Sequence, residues 1–185
     1  MALKSTVYKA SLQIADMDRN LYASHQLTLA LHPSETEERL MVRLLAFALQ
    51  VEADDEQGQL QFARGLSDTD EPDLWLHDLT GQLKHWVDVG QVDDRRLIKA
   101  SGRADRVTLY CYASSVPVWW AALHNKLTRL RNLEVWQLPA AESQALAALA
   151  DRSMQLQVTV QDGQVMVISG DRTVELAPQR LFPAP

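Results

Sequence analysis

A single cysteine in 185 residues, Cys111, excludes an internal disulfide and any site built from several thiolates. Long apolar runs are missing as well. Runs such as Leu44 to Leu49 fall far short of the ~18 residues that a membrane-spanning helix needs, so no membrane partner is expected. Nothing from Met1 to Thr6 reads as an apolar signal region, and a cytoplasmic location is expected. Positive charge is in deficit: 18 Lys and Arg against 24 Asp and Glu give a net charge of -6, which argues against a general nucleic-acid coat. The basic residues that do cluster, Arg95, Arg96, Lys99, Arg103 and Arg106, then Lys126, Arg129 and Arg131, are read as solvated helix faces. No Gly-rich phosphate loop opens a helix, the five histidines lack zinc-ligand spacing, and no serine sits in a nucleophile-elbow pattern. P-loop nucleotide hydrolysis, zinc chemistry and acyl transfer are therefore set aside. With seven Gly, seven Pro, 46% hydrophobic and 23% charged residues, the composition is that of an ordinary globular chain, expected to form one domain over residues 1–185. No strongly apolar exposed helix is evident, and a monomer is expected.

Hydrophobic periodicity supplies the elements. Alternation over Val7–Ile14 and Leu21–Leu31 predicts a hairpin. A helix is expected from Ser34 through Leu49, with Ser34 and Glu37 as a capping box. A short strand near Leu60–Phe62 precedes a second hairpin, Pro72–His77 and Leu83–Val89, folded about Thr80 and Gly81. A helix from Asp93 or Asp94 to Ala100, a strand over Val107–Tyr112, and a helix from Ser115 through Leu127 follow. Then come a strand at Leu133–Leu138, a helix at Pro139–Ala150 and a meander over Met154–Leu176. The fold class is α/β (α+β), a mixed β-sheet flanked by helices.

The second hairpin carries the chemistry. Its register sets Trp75 opposite Trp86 and Asp73 opposite Asp88, placing like charges ~5 Å apart at their Cβ atoms, an arrangement that is destabilising unless offset. A divalent cation offsets it, because hard cations are held by carboxylates, waters and substrate phosphates. A protonated carboxyl or a different register are the alternatives. Glu38 lies along the apolar stripe of the first helix, where a carboxylate needs a partner; a surface glutamate favoured by the helix dipole is the other reading.

Glu71, Pro72, Asp73, Leu74, Trp75, then Trp86 to Gly90, then Arg96 to Ala100 resemble the bacterial YaeQ family, as do Leu12–Arg19 and His32–Glu35. The resemblance covers most of the first 115 residues. The family is similar in fold to the PD-(D/E)XK nucleases, which implies a restriction-endonuclease-like core. Carried over by position, it implicates Glu38, Asp73 and Asp88 as ligands of Mg²⁺, with Mn²⁺ as a substitute. The motif lysine is absent: Gly90 stands in its place, followed by Gln91, which positions a water but supplies no charge. Lys99 is the candidate to replace it, stabilising charge on the phosphorus. The expected function is metal-dependent phosphodiester hydrolysis or nucleic-acid binding. The alternative is a catalytically inactive member of the fold acting through a protein partner. Surplus positive charge beside the acidic residues would favour the first, since a phosphodiester needs it.

Overall fold

The computed structural model describes residues 4–185. Two sheets form, rather than the single one expected. The first hairpin, β1 (Thr6–Asp16) and β2 (Leu21–Leu31), pairs over eleven residues without a register shift. The long helix α1 (Glu37–Gln50) follows, then β3 (Gln59–Phe62), β4 (Leu74–His77) and β5 (Leu83–Val89). Helix α2 (Asp94–Arg103), β6 (Arg106–Cys111), α3 (Val116–Leu123), β7 (Leu133–Gln137) and α4 (Ala140–Ala147) come next. The chain closes with β8 (Ser153–Gln161), β9 (Gln164–Ser169), β10 (Arg172–Leu176) and β11 (Gln179–Phe182).

The predicted tail meander does not stand alone. β8 lies parallel to β1, giving a five-stranded sheet in the order β10-β9-β8-β1-β2. The other sheet runs β11-β7-β6-β5-β4-β3, with β5, β6 and β7 mutually parallel. Burial explains the division. β8 alternates exposed and buried residues because one face of its sheet meets water, whereas β5 and β6 are almost continuously buried, as parallel strands covered on both faces are.

Helix α1 is the shared core. Every residue from Leu40 to Ala48 is buried, so the helix is enclosed all round, and its side chains join one cluster with Leu12 and Leu156 of the first sheet and Val87 and Val89 of the second. Trp86 faces the other way, into a second cluster with Leu97 and Ala100 of α2 and Val116 and Leu123 of α3. The side chain of Arg19 caps the C-terminal end of α1, donating to the Ala48 and Val51 carbonyls while paired with Asp16. A cation is favoured where unpaired carbonyls accumulate.

The start of α1 differs from expectation. Thr36 is the N-cap, accepting from the Arg39 amide, and Ser34 instead meets His32 Nδ1 at 2.7 Å. Glu37 is therefore a first-turn acid, not half of a capping box. The second hairpin keeps the predicted register from Leu74 opposite Val87 through Leu76 opposite His85, then bulges so that His77 faces Leu83. Helix α3 corrects another expectation: it is apolar, yet Pro117, Val118, Ala121 and Ala122 are exposed, Val118 at 77%. Among the described residues no helix is long and apolar enough to cross a membrane.

Candidate functional site

Asp73 sits immediately before β4 and Asp88 lies within β5, both almost wholly buried at 2% and 1% exposure. The backbone brings them together as the register implied: the Asp73 amide donates to the Val87 carbonyl, and the Val89 amide donates to Asp73 Oδ2 at 2.8 Å. Repulsion between them is offset by two arginines. Arg39 of α1 donates through Nη2 to both oxygens of Asp73, at 2.8 and 2.9 Å. Arg96 of α2 donates to Asp88 through Nε at 2.7 Å and Nη2 at 3.0 Å, while Trp86 Nε1 supplies a third bond at 2.8 Å. All these neighbours are donors, which is the environment of ionised carboxylates.

The pairing extends into α1. Glu35, its carboxylate out of solvent, accepts from Arg43 Nε at 2.7 Å and from Arg39 Nη1 at 3.3 Å, and Arg43 also reaches the Ala30 carbonyl of β2. Three carboxylates and three guanidiniums thus run from β2 across α1 to α2. Burial pushes the Asp73 carboxyl upward and Asp88 adds to this, against the downward pull of Arg39 and the Val89 amide. Burial also opposes the charge on Arg39, but Asp73 and Glu35 more than offset it and raise its pKa.

Local backbone fits this arrangement. Gly65, at φ +52°, closes on Asp73: an added Cβ would stand 2.6 Å from Oδ1. Gly90, where the resemblance would have placed a lysine, has φ +100°, a conformation L side chains rarely adopt. Arg96 is fixed by further bonds to the Thr69 and Glu71 carbonyls, and Trp86 lies under both Arg96 and Arg103, 5.4 and 5.1 Å from its ring centre.

Arg39, Asp73, Asp88, Gly90, Gln91, Asp93, Arg96 and Tyr112 line an open cleft of about 490 Å³. The other expected residues are distributed differently. Gln91 is at the cleft but donates to Ser115 Oγ at 2.6 Å, tying the rim to the start of α3. Glu38 leaves α1 toward α4, accepting from Ser143 Oγ at 2.8 Å. Lys99 lies on the exposed face of α2, 61% accessible, paired with Asp70 at 2.7 Å. Tyr112 has its phenol pushed up to about 12 by burial. Tyr110 turns away to Gln50 at 2.6 Å, and Cys111 is a buried thiol also raised to about 12 by burial. Trp75 and Trp86 are cross-strand partners in register, yet Trp75 packs edge-on against His77.

The donor set does not fit a divalent cation. Each oxygen of Asp73 and Asp88 already accepts from an arginine, Glu38 is bonded elsewhere, and among the described residues no group of three or more His, Cys, Asp or Glu side chains converges. A metal would have to displace two guanidiniums from buried carboxylates.

The family model described as YaeQ protein matches residues 1–178. The chain belongs to the YaeQ family. YaeQ proteins of Salmonella typhi and Escherichia coli K12 are each 42% identical over 177 residues, covering 95% of both chains. The crystal structure of YaeQ from Xanthomonas axonopodis pv. citri is 48% identical with a TM-score of 0.89, covering 96% of this chain and 98% of that one. The Pseudomonas syringae YaeQ structure is 40% identical, also at 0.89, with 96% of each chain covered.

Sequence reasoning missed the arginines of this YaeQ cleft. Arg39 and Arg43 stand four residues apart on one face of α1, just after Glu35, and Arg43 interrupts an apolar helix, a charge that demands a buried partner. Arg96 belongs to a run that reads as a solvated face, yet it answers a carboxylate eight residues earlier on another element.

Proposed function

We propose that this YaeQ protein is a catalytically inactive member of a PD-(D/E)XK-like fold that works through a protein partner instead of hydrolysing phosphodiesters. The observation carrying this reading is the pairing of Asp73 with Arg39 and of Asp88 with Arg96. Arginines take up the capacity that would hold a metal, and the carboxylates take up the positive charge that would meet a phosphate. The cleft is lined by Asp73, Asp88 and Asp93 against Arg39 and Arg96, so no positive charge is left over. The adjoining rim is apolar: α3, joined through Gln91 and Ser115, exposes Pro117, Val118, Ala121 and Ala122, the type of surface that protein contacts use.

Calorimetric titration of Mn²⁺ and Mg²⁺ into wild type and an Asp73→Asn, Asp88→Asn double variant tests it, alongside incubation with labelled single- and double-stranded DNA and RNA. The expected result is no saturable binding at millimolar metal and no cleavage. Saturable binding that the double variant loses, accompanied by cleavage, would restore the hydrolytic reading.

A further inference from the structure

Each sheet has two edges, and three of the four carry protection against pairing. β3 is four residues long, β11 is four residues long with a bulge and Arg180, and β10 is five residues long with Arg172 and Glu175. Edge β2 has none of these devices. It runs eleven residues, Leu-Tyr-Ala-Ser-His-Gln-Leu-Thr-Leu-Ala-Leu, with no Lys, Arg, Asp, Glu, Pro or Gly and no bulge against β1. Native proteins blunt long regular edges because an open row of backbone donors and acceptors templates further pairing. Among the described residues the Leu31 end is closed, where Arg43 takes the Ala30 carbonyl and Thr28, Leu29 and Ala30 share a pocket with Phe62, Ala63 and Arg64.

We propose that β2 is a self-association edge, pairing antiparallel with β2 of a second copy across a two-fold axis. The sequence of β2 is complementary to itself. A register centred on Gln26 sets Ala23 against the other copy's Leu29 and His25 against Leu27 on the α1 side, and the ladder ends short of Ala30, whose carbonyl Arg43 holds. On the solvent side Ser24 meets Thr28 and Gln26 meets Gln26. Apolar thus faces apolar except at His25, and every solvent-side position is uncharged. A two-fold axis brings residues onto their own copies, so a single charge near its centre would repel itself; none is present. Ala23, His25 and Leu27 point toward the core face but remain only partly buried, and a continued sheet covers them. The Ala30 end of this edge reaches Asp73 through Arg43, Glu35 and Arg39, but Tyr22 to Gln26 lie away from it, and the proposal does not rest on the function argued above.

Sedimentation velocity from micromolar to half-millimolar protein tests it. Wild type is expected to approach twice the 20.8 kDa of one chain as concentration rises. Gln26→Lys and, separately, Thr28→Lys, both at exposed positions, should weaken association at least tenfold while leaving the circular dichroism melt of the monomer intact. Val118→Lys on α3 should leave it unchanged. A wild-type chain that stays at 20.8 kDa throughout overturns the proposal. So does a dimer insensitive to both lysines, or one that only Val118→Lys dissolves.

Discussion

Replacing Arg39 by methionine keeps most of the side-chain volume and removes the cation from Asp73. The carboxylate that remains is 2% exposed, keeps one bond from the Val89 amide and faces Asp88. Breaking a buried pair by deleting one partner costs about 3–5 kcal/mol, because the other charge is left uncompensated. That is a large part of the ~5–15 kcal/mol that holds a typical domain folded. The penalty should depend on pH with a defined sign. Burial and Asp88 already push the Asp73 carboxyl upward, and losing Arg39 removes the main opposing influence. A carboxyl whose folded pKa lies above its unfolded value binds its proton more tightly when folded, so acidification between the two values stabilises the variant, by at most ~1.4 kcal/mol per pH unit. Urea unfolding of wild type, Arg39→Met, Asp73→Asn and the double variant, at pH 5 and pH 8, reads both effects. The expected coupling between the two sites exceeds about 2 kcal/mol at pH 8 and shrinks at pH 5. A loss below about 1 kcal/mol, or one equal at both pH values with no coupling, would refute the claim that Arg39 holds the buried carboxylate.

His85, bonded to Thr108 and Arg106, is pushed down to about 3 by burial and by Arg106. Its contribution is present above the unfolded value of about 6.5 and is lost as pH falls toward 3, about 2–3 kcal/mol by pH 4.5; unfolding of His85→Gln across this range should show a correspondingly flatter acid limb. Gly65→Ala sets a Cβ 2.6 Å from Asp73 Oδ1 at φ +52° and should cost about 1–3 kcal/mol in urea unfolding; a neutral result would mean the loop yields freely. Lys99→Ala removes an exposed pair with Asp70 and should leave the melting temperature and any metal titration unchanged. Arg96→Met should expose Asp88 to cations and produce Mn²⁺ binding absent in wild type, measured by calorimetry; failure to bind would place the barrier at Arg39 or Trp86.

The sequence by itself determined the local elements and the meeting of the two aspartates. The β1–β2 hairpin follows from strict alternation, and the second hairpin from its turn near Gly81, although Trp75 comes opposite Trp86 only because a bulge beside His77 restores the register that the alternation implied. Both are near-neighbour properties, written within some thirty residues of chain. Even the demand that something offset Asp73 and Asp88 was legible, because opposed like charges are unfavourable in any fold. What answers that demand was decided only by tertiary structure. Arg39 is one residue beyond Glu38, and a rotation of about 100° per residue along α1 sends Glu38 to Ser143 of α4 and Arg39 to Asp73. Arg96 and Lys99 share a short helix, yet one turns inward onto Trp86 and Asp88 and the other outward to Asp70. Periodicity marks a face as polar or apolar without saying which element will cover it. The division into two sheets has the same cause: β8 joins β1 across more than a hundred residues, a pairing that buries Leu12 and Leu156 against α1 and that no local pattern encodes.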